Sequence, residues 1–146
     1  MLPCLAFLAL TTSLFAQVQT TNLGGGCATP AMLNEGLTDN IGLIVSNQTS
    51  QYILVAPQVN SSSYIGLLAV GFSDPNALLP SCGCVLHTTG DILVSPTSFS
   101  PFGIAYVSFP AGYSANVTIQ RVNLAYACNE LSFGLCFSDA VDVYLP

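Results

Sequence analysis

Short apolar runs recur at close intervals along this sequence and restrict the chain to β-structure. The runs are about four to eight residues long, are rich in Val, Ile, Tyr and Phe, and are bounded by Gly, Pro, Asn, Asp or Ser clusters. Capped helical spacing is absent, apart from one candidate turn at 31–34. The pattern predicts about nine short strands, at 41–45, 52–56, 64–72, 84–88, 91–94, 104–109, 116–126, 132–137 and 141–145.

The length of the chain fits one hydrophobic core. It has 146 residues, of which 51% are hydrophobic, so a single folded domain is expected and a disordered chain is excluded. Nine short strands in one sheet would leave a face uncovered. We therefore predict an all-β fold, a two-sheet antiparallel β-sandwich of Ig-like or jelly-roll-like type. Strands 64–72 and 104–109 are apolar at both odd and even positions, which predicts central places in the sheets.

The first residues have the pattern of a signal peptide. Residues 1–16 carry no charged side chain, form an apolar run too short to span a membrane, and end in a small residue. We expect cleavage before Gln17, then a flexible N-terminal segment at 17–26 and a single β-sandwich domain at 27–146. The alternative for 1–16 is a first core strand or helix. The expected location is secreted, extracellular or at the cell surface.

Charge excludes several classes of function. Lys and Arg together number 1 against 7 Asp and Glu, and the net charge is −6. No basic surface can neutralise phosphates, so nucleic acid is excluded as a partner. Arg121 is the one basic side chain and His87 the one imidazole. We expect no cofactor, and no membrane span after signal cleavage, because no later apolar run is long enough.

One predicted strand changes its alternation. Val117 and Ile119 occupy odd positions, whereas Val122 and Leu124 occupy even positions. A shift of one residue moves side chains to the opposite face of a sheet. We therefore predict a β-bulge at Gln120-Arg121, or a strand that passes there from one sheet to the other.

Five cysteines follow the leader, and an exported chain is expected to oxidise them. The favoured disulfides are Cys27 with Cys84 and Cys128 with Cys136. Cys82 is then a free or intermolecular thiol. Because Cys82 lies two residues from Cys84 on one strand face, it is also an alternative partner for Cys27.

Several short motifs occur in a fixed order. Residues 24–30 read Gly-Gly-Gly-Cys-Ala-Thr-Pro and residues 79–86 read Leu-Pro-Ser-Cys-Gly-Cys-Val-Leu. Residues 109–112 read Phe-Pro-Ala-Gly and residues 117–120 read Val-Thr-Ile-Gln. The chain closes at 137–146 with Phe-Ser-Asp-Ala-Val-Asp-Val-Tyr-Leu-Pro. This order resembles a family of exported, Cys-containing bacterial β-sandwich domains of the planctomycete and myxobacterial type.

The resemblance covers roughly residues 24–146. It implies a secreted β-sandwich and adds no catalytic residue, because the family has no established activity. The chain departs from the family pattern with Asp139 where Asn is expected, and with its Cys128 and Cys136 pair.

The residues that could carry chemistry form no clear site. Cys82, Cys84 and His87 have soft-metal ligand types, but strand neighbours of opposite parity do not converge, and thiols oxidise outside the cell. His87 with Asp91 and a serine is the catalytic alternative, although no Gly-x-Ser-x-Gly turn is present. We therefore interpret His87 as a surface residue at a strand end, and expect no catalytic residue and no metal.

The acidic residues are scattered in predicted turns, so no pair is selected for glycosidase chemistry. Calcium binding by Asp139 and Asp142, or by Asp39 with Asn40, is the hypothesis that suits turn carboxylates better.

These observations predict a non-enzymatic module for adhesion, envelope structure or assembly. The expected partners are neutral extracellular polymers or the protein itself, as a homodimer. The alternative is a carbohydrate- or small-ligand-binding module, for which Tyr52, Tyr64 and Tyr113 are the stacking candidates. A secreted hydrolase is a third hypothesis.

Overall fold

The computed structural model describes residues 17–27, 40–59, 64–79, 84–96, 102–125 and 135–146. Every regular element in these residues is a strand, and all strand pairs are antiparallel. The ten strands are β1 (Gln19–Gly24), β2 (Ile44–Asn47), β3 (Gln51–Val59), β4 (Tyr64–Gly71), β5 (Ala77–Leu79), β6 (Cys84–Leu86), β7 (Ile92–Val94), β8 (Phe102–Pro110), β9 (Ala115–Ala125) and β10 (Leu135–Leu145). The expected all-β sandwich is confirmed. No helix in these ranges could cross a membrane.

Two sheets enclose the main core. Sheet A has the order β1-β10-β9-β4-β7 and sheet B the order β2-β3-β8, while β5 and β6 form a separate pair. Alternation in β3 directs Tyr52, Leu54 and Ala56 inward. The buried core contains Ile41, Tyr52, Leu54, Ala56, Leu68, Val70, Ala105, Phe109, Val117, Ile119, Val143 and Leu145.

Of the two strands that the sequence predicts to be central, one is central and the other lies at an edge. Strand β4 lies between β9 and β7, so its central place is confirmed. Strand β8 lies at the edge of sheet B among the described residues, so its expected central place is wrong. Its second apolar parity, with Ile104 and Tyr106, faces outward instead of meeting another layer.

The N-terminal segment, which the sequence predicts to be flexible, contains strand β1. β1 pairs with β10 from Gln19 opposite Tyr144 to Gly24 opposite Ala140. The carbonyl of Gly25 then accepts the N–H of Val85 at 3.1 Å. Main-chain hydrogen bonds hold this segment in place. Its exposed polar side chains show no apolar alternation, so the sequence does not predict a strand here.

The predicted bulge exists on the neighbouring strand. Phe137 pairs with Val122 and Ala140 with Gln120, so Ser138 and Asp139 of β10 both lie opposite Arg121. Strand β9 itself pairs with β4 without a register shift. The location was therefore predicted, but its assignment to β9 was wrong.

The alternation in β9 changes because of burial on both faces. Val117, Ile119, Arg121 and Asn123 share one parity and all four are buried, while Leu124 of the other parity is exposed. The structure thus buries two polar residues where a slip would have buried Val122 and Leu124. Ser138 supports the regular course of β9, because its Oγ accepts the backbone N–H of Arg121 at 2.9 Å.

A second layer covers the other face of sheet A. We call residues 84–91 the cover segment; it begins with β6 and contains the buried Cys84, His87 and Thr88. Gly71 of β4 permits its close approach, because a Cβ there would lie 2.5 Å from the backbone nitrogen of Thr89. The middle of sheet A is therefore buried on both faces.

Candidate functional site

Gln120 connects sheet A to the cover segment. Its side chain is fully buried on the face opposite the main core. Oε1 accepts the N–H of His87 at 3.1 Å, and Nε2 donates to the carbonyls of Val85 at 2.9 Å and Ser138 at 2.8 Å. One carboxamide therefore joins β9, the cover segment and the bulge of β10, and it satisfies three buried main-chain groups.

His87 is buried in this layer, so its interpretation as a surface residue is wrong. Its exposed fraction is 7%. Nδ1 donates to the carboxylate of Asp74, with the two oxygens at 3.0 and 3.1 Å. The partner belongs to a turn thirteen residues earlier, a distance that no local hydropathy pattern reveals.

Backbone closes the other side of the imidazole. A Cβ on Gly25 would lie 2.9 Å from Cδ2 and 3.0 Å from Nε2 of His87. Gly25 also has a φ of 90°, in the left-handed region that favours glycine. The His87 ring is held between Asp74 and Gly25, an arrangement that fixes the cover segment.

Asp91, the expected partner of His87, makes other contacts. Its Oδ2 accepts the N–H of Phe72 at 2.9 Å and the hydroxyl of Thr89. These two hydrogen bonds lower the pKa of the Asp91 carboxyl from its ordinary value of 3.8, and the bond from the Thr89 hydroxyl has the larger effect. The structure therefore assembles no His87–Asp91 catalytic pair.

A disulfide joins the N-terminal segment to the cover segment. Cys27 and Cys84 are bonded, with their Cα atoms 5.2 Å apart and a sequence separation of 57 residues. This is the longer of the two bridges expected from the sequence. Because the sulfur of Cys84 is bonded to Cys27, it is not a thiolate ligand, so the metal hypothesis with His87 loses one of its donors.

The remaining cysteine predictions lie outside what the structure describes. Cys82 and Cys128 are not among the described residues, and Cys136 is described only as backbone in β10. The pairing of Cys128 with Cys136 and the free thiol at Cys82 stay predictions.

The structure describes only some of the residues suggested for calcium. Oδ1 of Asp139 accepts the N–H of Gly26 at 2.9 Å, and Oδ1 of Asn40 accepts the N–H of Gly42 at 2.8 Å. Asp39 lies outside the described residues. Across the part of the chain that the structure describes, no three His, Cys, Asp or Glu side chains converge closely enough for a metal ion.

The outer face of sheet B carries exposed apolar side chains. We define it as Ile44 and Ser46 of β2, Ile53, Val55 and Pro57 of β3, and Ile104, Tyr106 and Ser108 of β8. Ile44, Val55 and Tyr106 form one cross-strand row, and Ile104 follows beside Pro57. Ile44, Tyr106 and Ile104 are 62%, 55% and 50% exposed. No residue of this face is charged.

A cluster of three aromatic rings lies at one end of the sandwich. Phe109 is buried, and Tyr113 stacks on it with centroids 5.6 Å apart and planes 15° from parallel. Phe72 meets Phe109 edge-on at 6.5 Å. Phe72 and Tyr113 remain 45% and 42% exposed. We call Phe72, Phe109 and Tyr113 the aromatic cluster.

The three tyrosines suggested for sugar stacking thus have different surroundings. Tyr113 presents an exposed ring, whereas Tyr52 is buried and its hydroxyl donates to the carbonyl of Pro146 at 3.1 Å. The side chain of Tyr64 lies outside the described part. Sequence reasoning missed Phe72, because it ends a strand that was predicted to be central.

Two adjoining cavities open between β1 and residues 40–47. Their volumes are about 360 and about 400 Å³, and both are lined by Thr20 and Leu43. Their linings contain uncharged side chains only, with no acid and no His. They therefore offer no general acid or base for hydrolysis.

Searches against protein-family models, curated proteins and solved structures found no match to this chain.

Proposed function

We propose that this protein is an extracellular, non-enzymatic module of adhesion, envelope structure or assembly, and that it works by self-association through the outer face of sheet B. The observation that carries the proposal is the row of Ile44, Val55 and Tyr106 with neighbouring Ile104, an apolar surface that the protein's own layers leave open. Contiguous exposed apolar surface is typical of interaction sites.

The lack of charge on this face suits a second copy as the occupant. Each chain has a net charge of −6, yet the outer face of sheet B carries no charged side chain. The charged residues of the described part are elsewhere, at Asp74, Asp91, Arg121, Asp139 and Asp142. Two copies meeting face to face through sheet B would bury apolar surface without desolvating a charge. A twofold dimer uses the same patch on both subunits.

The Cys27–Cys84 disulfide supports the extracellular part of the proposal. Structural disulfides persist in oxidising compartments. The signal-peptide pattern at 1–16 supports the same location. Membership of the exported bacterial family suggested by the sequence motifs is part of this proposal.

The polar groups that contact the cover segment support the non-enzymatic part. The Gln120 side chain is bonded to three main-chain groups, and the His87 ring is bonded to Asp74, so these hydrogen bonds connect parts of the fold. A general base needs access to the proton that it removes. The position of His87 between Asp74 and Gly25 opposes such access.

The experiment is sedimentation velocity of the protein and of two lysine variants. Ile44→Lys places a charge on the outer face of sheet B. Leu93→Lys is the matched control, because Leu93 has the same 62% exposure but lies on β7 of sheet A. We expect the original protein and L93K to dimerise with increasing concentration and I44K to remain monomeric.

Two results would contradict the proposal. One is a protein that stays monomeric at all concentrations, and the other is equal association by I44K and L93K. A monomer that binds neutral polymers, and loses that binding in I44K, would assign the face to a polymer instead of a second copy.

A further inference from the structure

We propose that the aromatic cluster of Phe72, Phe109 and Tyr113 is a binding site for neutral sugars, separate from the outer face of sheet B. The inference does not depend on self-association, because the two surfaces share no residue.

Two rings of the aromatic cluster are presented to solvent. One face of Tyr113 is stacked on the buried Phe109, which leaves its opposite face toward solvent. Phe72 contacts the same Phe109 and is also exposed. A tyrosine held in this way contacts a ligand with a flat surface at low cost in side-chain entropy.

Hydrogen bonds hold the main chain that carries these rings. The turn at 111–114 that carries Tyr113 is fixed by the N–H of Tyr113 donating to the carbonyl of Pro110 at 3.1 Å. The N–H of Ala111 donates to the carbonyl of Ser50 at 2.9 Å and joins this turn to the neighbouring loop. On the other side, the N–H of Phe72 is held by Asp91. The platform is preorganised by main-chain hydrogen bonds.

Polar side chains belong to the segments that contact the cluster. Asp91 is exposed beside Phe72, and its carboxylate accepts hydrogen bonds. Gln48 and Gln51 lie in the loop whose Ser50 is bonded to the Tyr113 turn. Nε2 of Gln51 donates to Oε1 of Gln48 at 3.3 Å. These amides and this carboxylate belong to segments that are hydrogen-bonded to the main chain of the cluster, and such groups can bind hydroxyl groups while a ring contacts an apolar face.

The rings, the polar groups and the net charge together favour one class of ligand. A pyranose ring has both an apolar C–H face and hydroxyl groups, which match the rings and the surrounding acceptors. An anionic polymer would be repelled by the net charge of −6. Neutral polysaccharides and their oligosaccharides are therefore the class that this site fits.

The test is binding of the purified protein to a defined panel of neutral polymers. Soluble dextran, xylan and laminarin are tested by affinity electrophoresis, and insoluble cellulose and chitin by pull-down. We expect binding to at least one polymer, and about ten-fold weaker binding for Tyr113→Ala and for Phe72→Ala through loss of the stacking contact. Tyr144→Ala is the control, since Tyr144 is an exposed tyrosine on β10 that takes no part in the ring contacts of the described residues.

A second variant keeps the test independent of folding effects. The chain contains no Trp, so Tyr113→Trp introduces a larger stacking surface and a unique fluorophore. We expect Y113W to retain binding, with a change in Trp emission on addition of the bound polymer.

Three results would overturn the proposal. These are no binding to any polymer of the panel, equal binding by Y113A, F72A and the original protein, and binding that is lost in I44K but kept in Y113A. The last result would move the sugar contact to sheet B.

Discussion

The Nε2 atom of Gln120 lies 2.8 Å from the carbonyl oxygen of Ser138, so a buried amide on β9 donates directly to the bulge of β10. The extra residue of a bulge leaves main-chain groups without ladder partners. Gln120 satisfies one of these groups, the carbonyl of Ser138. The same side chain makes two more hydrogen bonds to the main chain of the cover segment, at His87 and Val85. The bulge and the second layer of the sandwich are therefore supported by one residue.

Replacement of Gln120 by Leu should destabilise the fold by about 2–4 kcal/mol, because it leaves the N–H of His87 and two carbonyls buried without their partner. Urea denaturation followed by circular dichroism measures the change. Gln17→Leu is the control, since Gln17 is exposed and should change stability by less than about 0.5 kcal/mol. Equal stabilities for both variants would disprove the role given to Gln120.

Replacement of Gly71 by Ala should cost about 3 kcal/mol, because the added Cβ would lie 2.5 Å from the backbone nitrogen of Thr89 and the cover segment would have to move. Gly90→Ala should cost only about 1 kcal/mol, since Gly90 has a φ of 65° but open space around its Cα. Melting temperatures of the two variants compare the cost of a steric contact at Gly71 with the cost of backbone strain at Gly90. A larger loss for G90A would show that the cover segment does not pack on β4 as described.

Removal of the disulfide by Cys27→Ser with Cys84→Ser should lower the free energy of unfolding by about 4 kcal/mol on the loop-entropy model, given the 57-residue separation. Peptide mapping without reduction checks the pairing. Pepsin is the suitable protease, because the chain has one Arg and no Lys. A peptide that links Cys27 to Cys82 would contradict the structure.

Acid should weaken the turn that Asp91 holds. Hydrogen bonds from Thr89 and Phe72 lower the pKa of Asp91 in the folded state below its unfolded value of 3.8. The stabilisation is therefore present above that unfolded value and is lost as the pH falls through the lower folded pKa. Melting temperatures between about pH 5 and pH 2 should fall less steeply for Asp91→Asn than for the original protein. Parallel curves would refute the assignment.

Regular burial made part of this fold predictable. Residues 52–56 form a short apolar run, which predicts a strand, and in the structure Tyr52, Leu54 and Ala56 alternate with half-buried neighbours. The exposed polar strand β1 carries no such pattern, although its main chain pairs with β10. Ser132–Phe137 and Val141–Leu145 appeared as two strands because the bulge at Ser138 interrupts their alternation.

The candidate sites were less predictable, because their partners are far apart in sequence. His87 meets Asp74 and Gln120, and Phe72 meets Phe109, only after the sheets have formed. Strand β8 is apolar at both odd and even positions, but the interpretation of this pattern as a central strand was wrong. The apolar parity of Ile104 and Tyr106 marks an open surface instead of a buried layer.

Sedimentation equilibrium of the unmodified protein at low and high salt tests self-association through sheet B most directly. Two copies with a net charge of −6 repel each other, while the uncharged contact face has no attraction for salt to screen. We predict a dimer whose dissociation constant falls as NaCl rises from about 0.02 to about 0.5 M, where the screening length shortens severalfold. A monomer at both salt concentrations, or a dimer that dissociates as salt is added, would contradict the account.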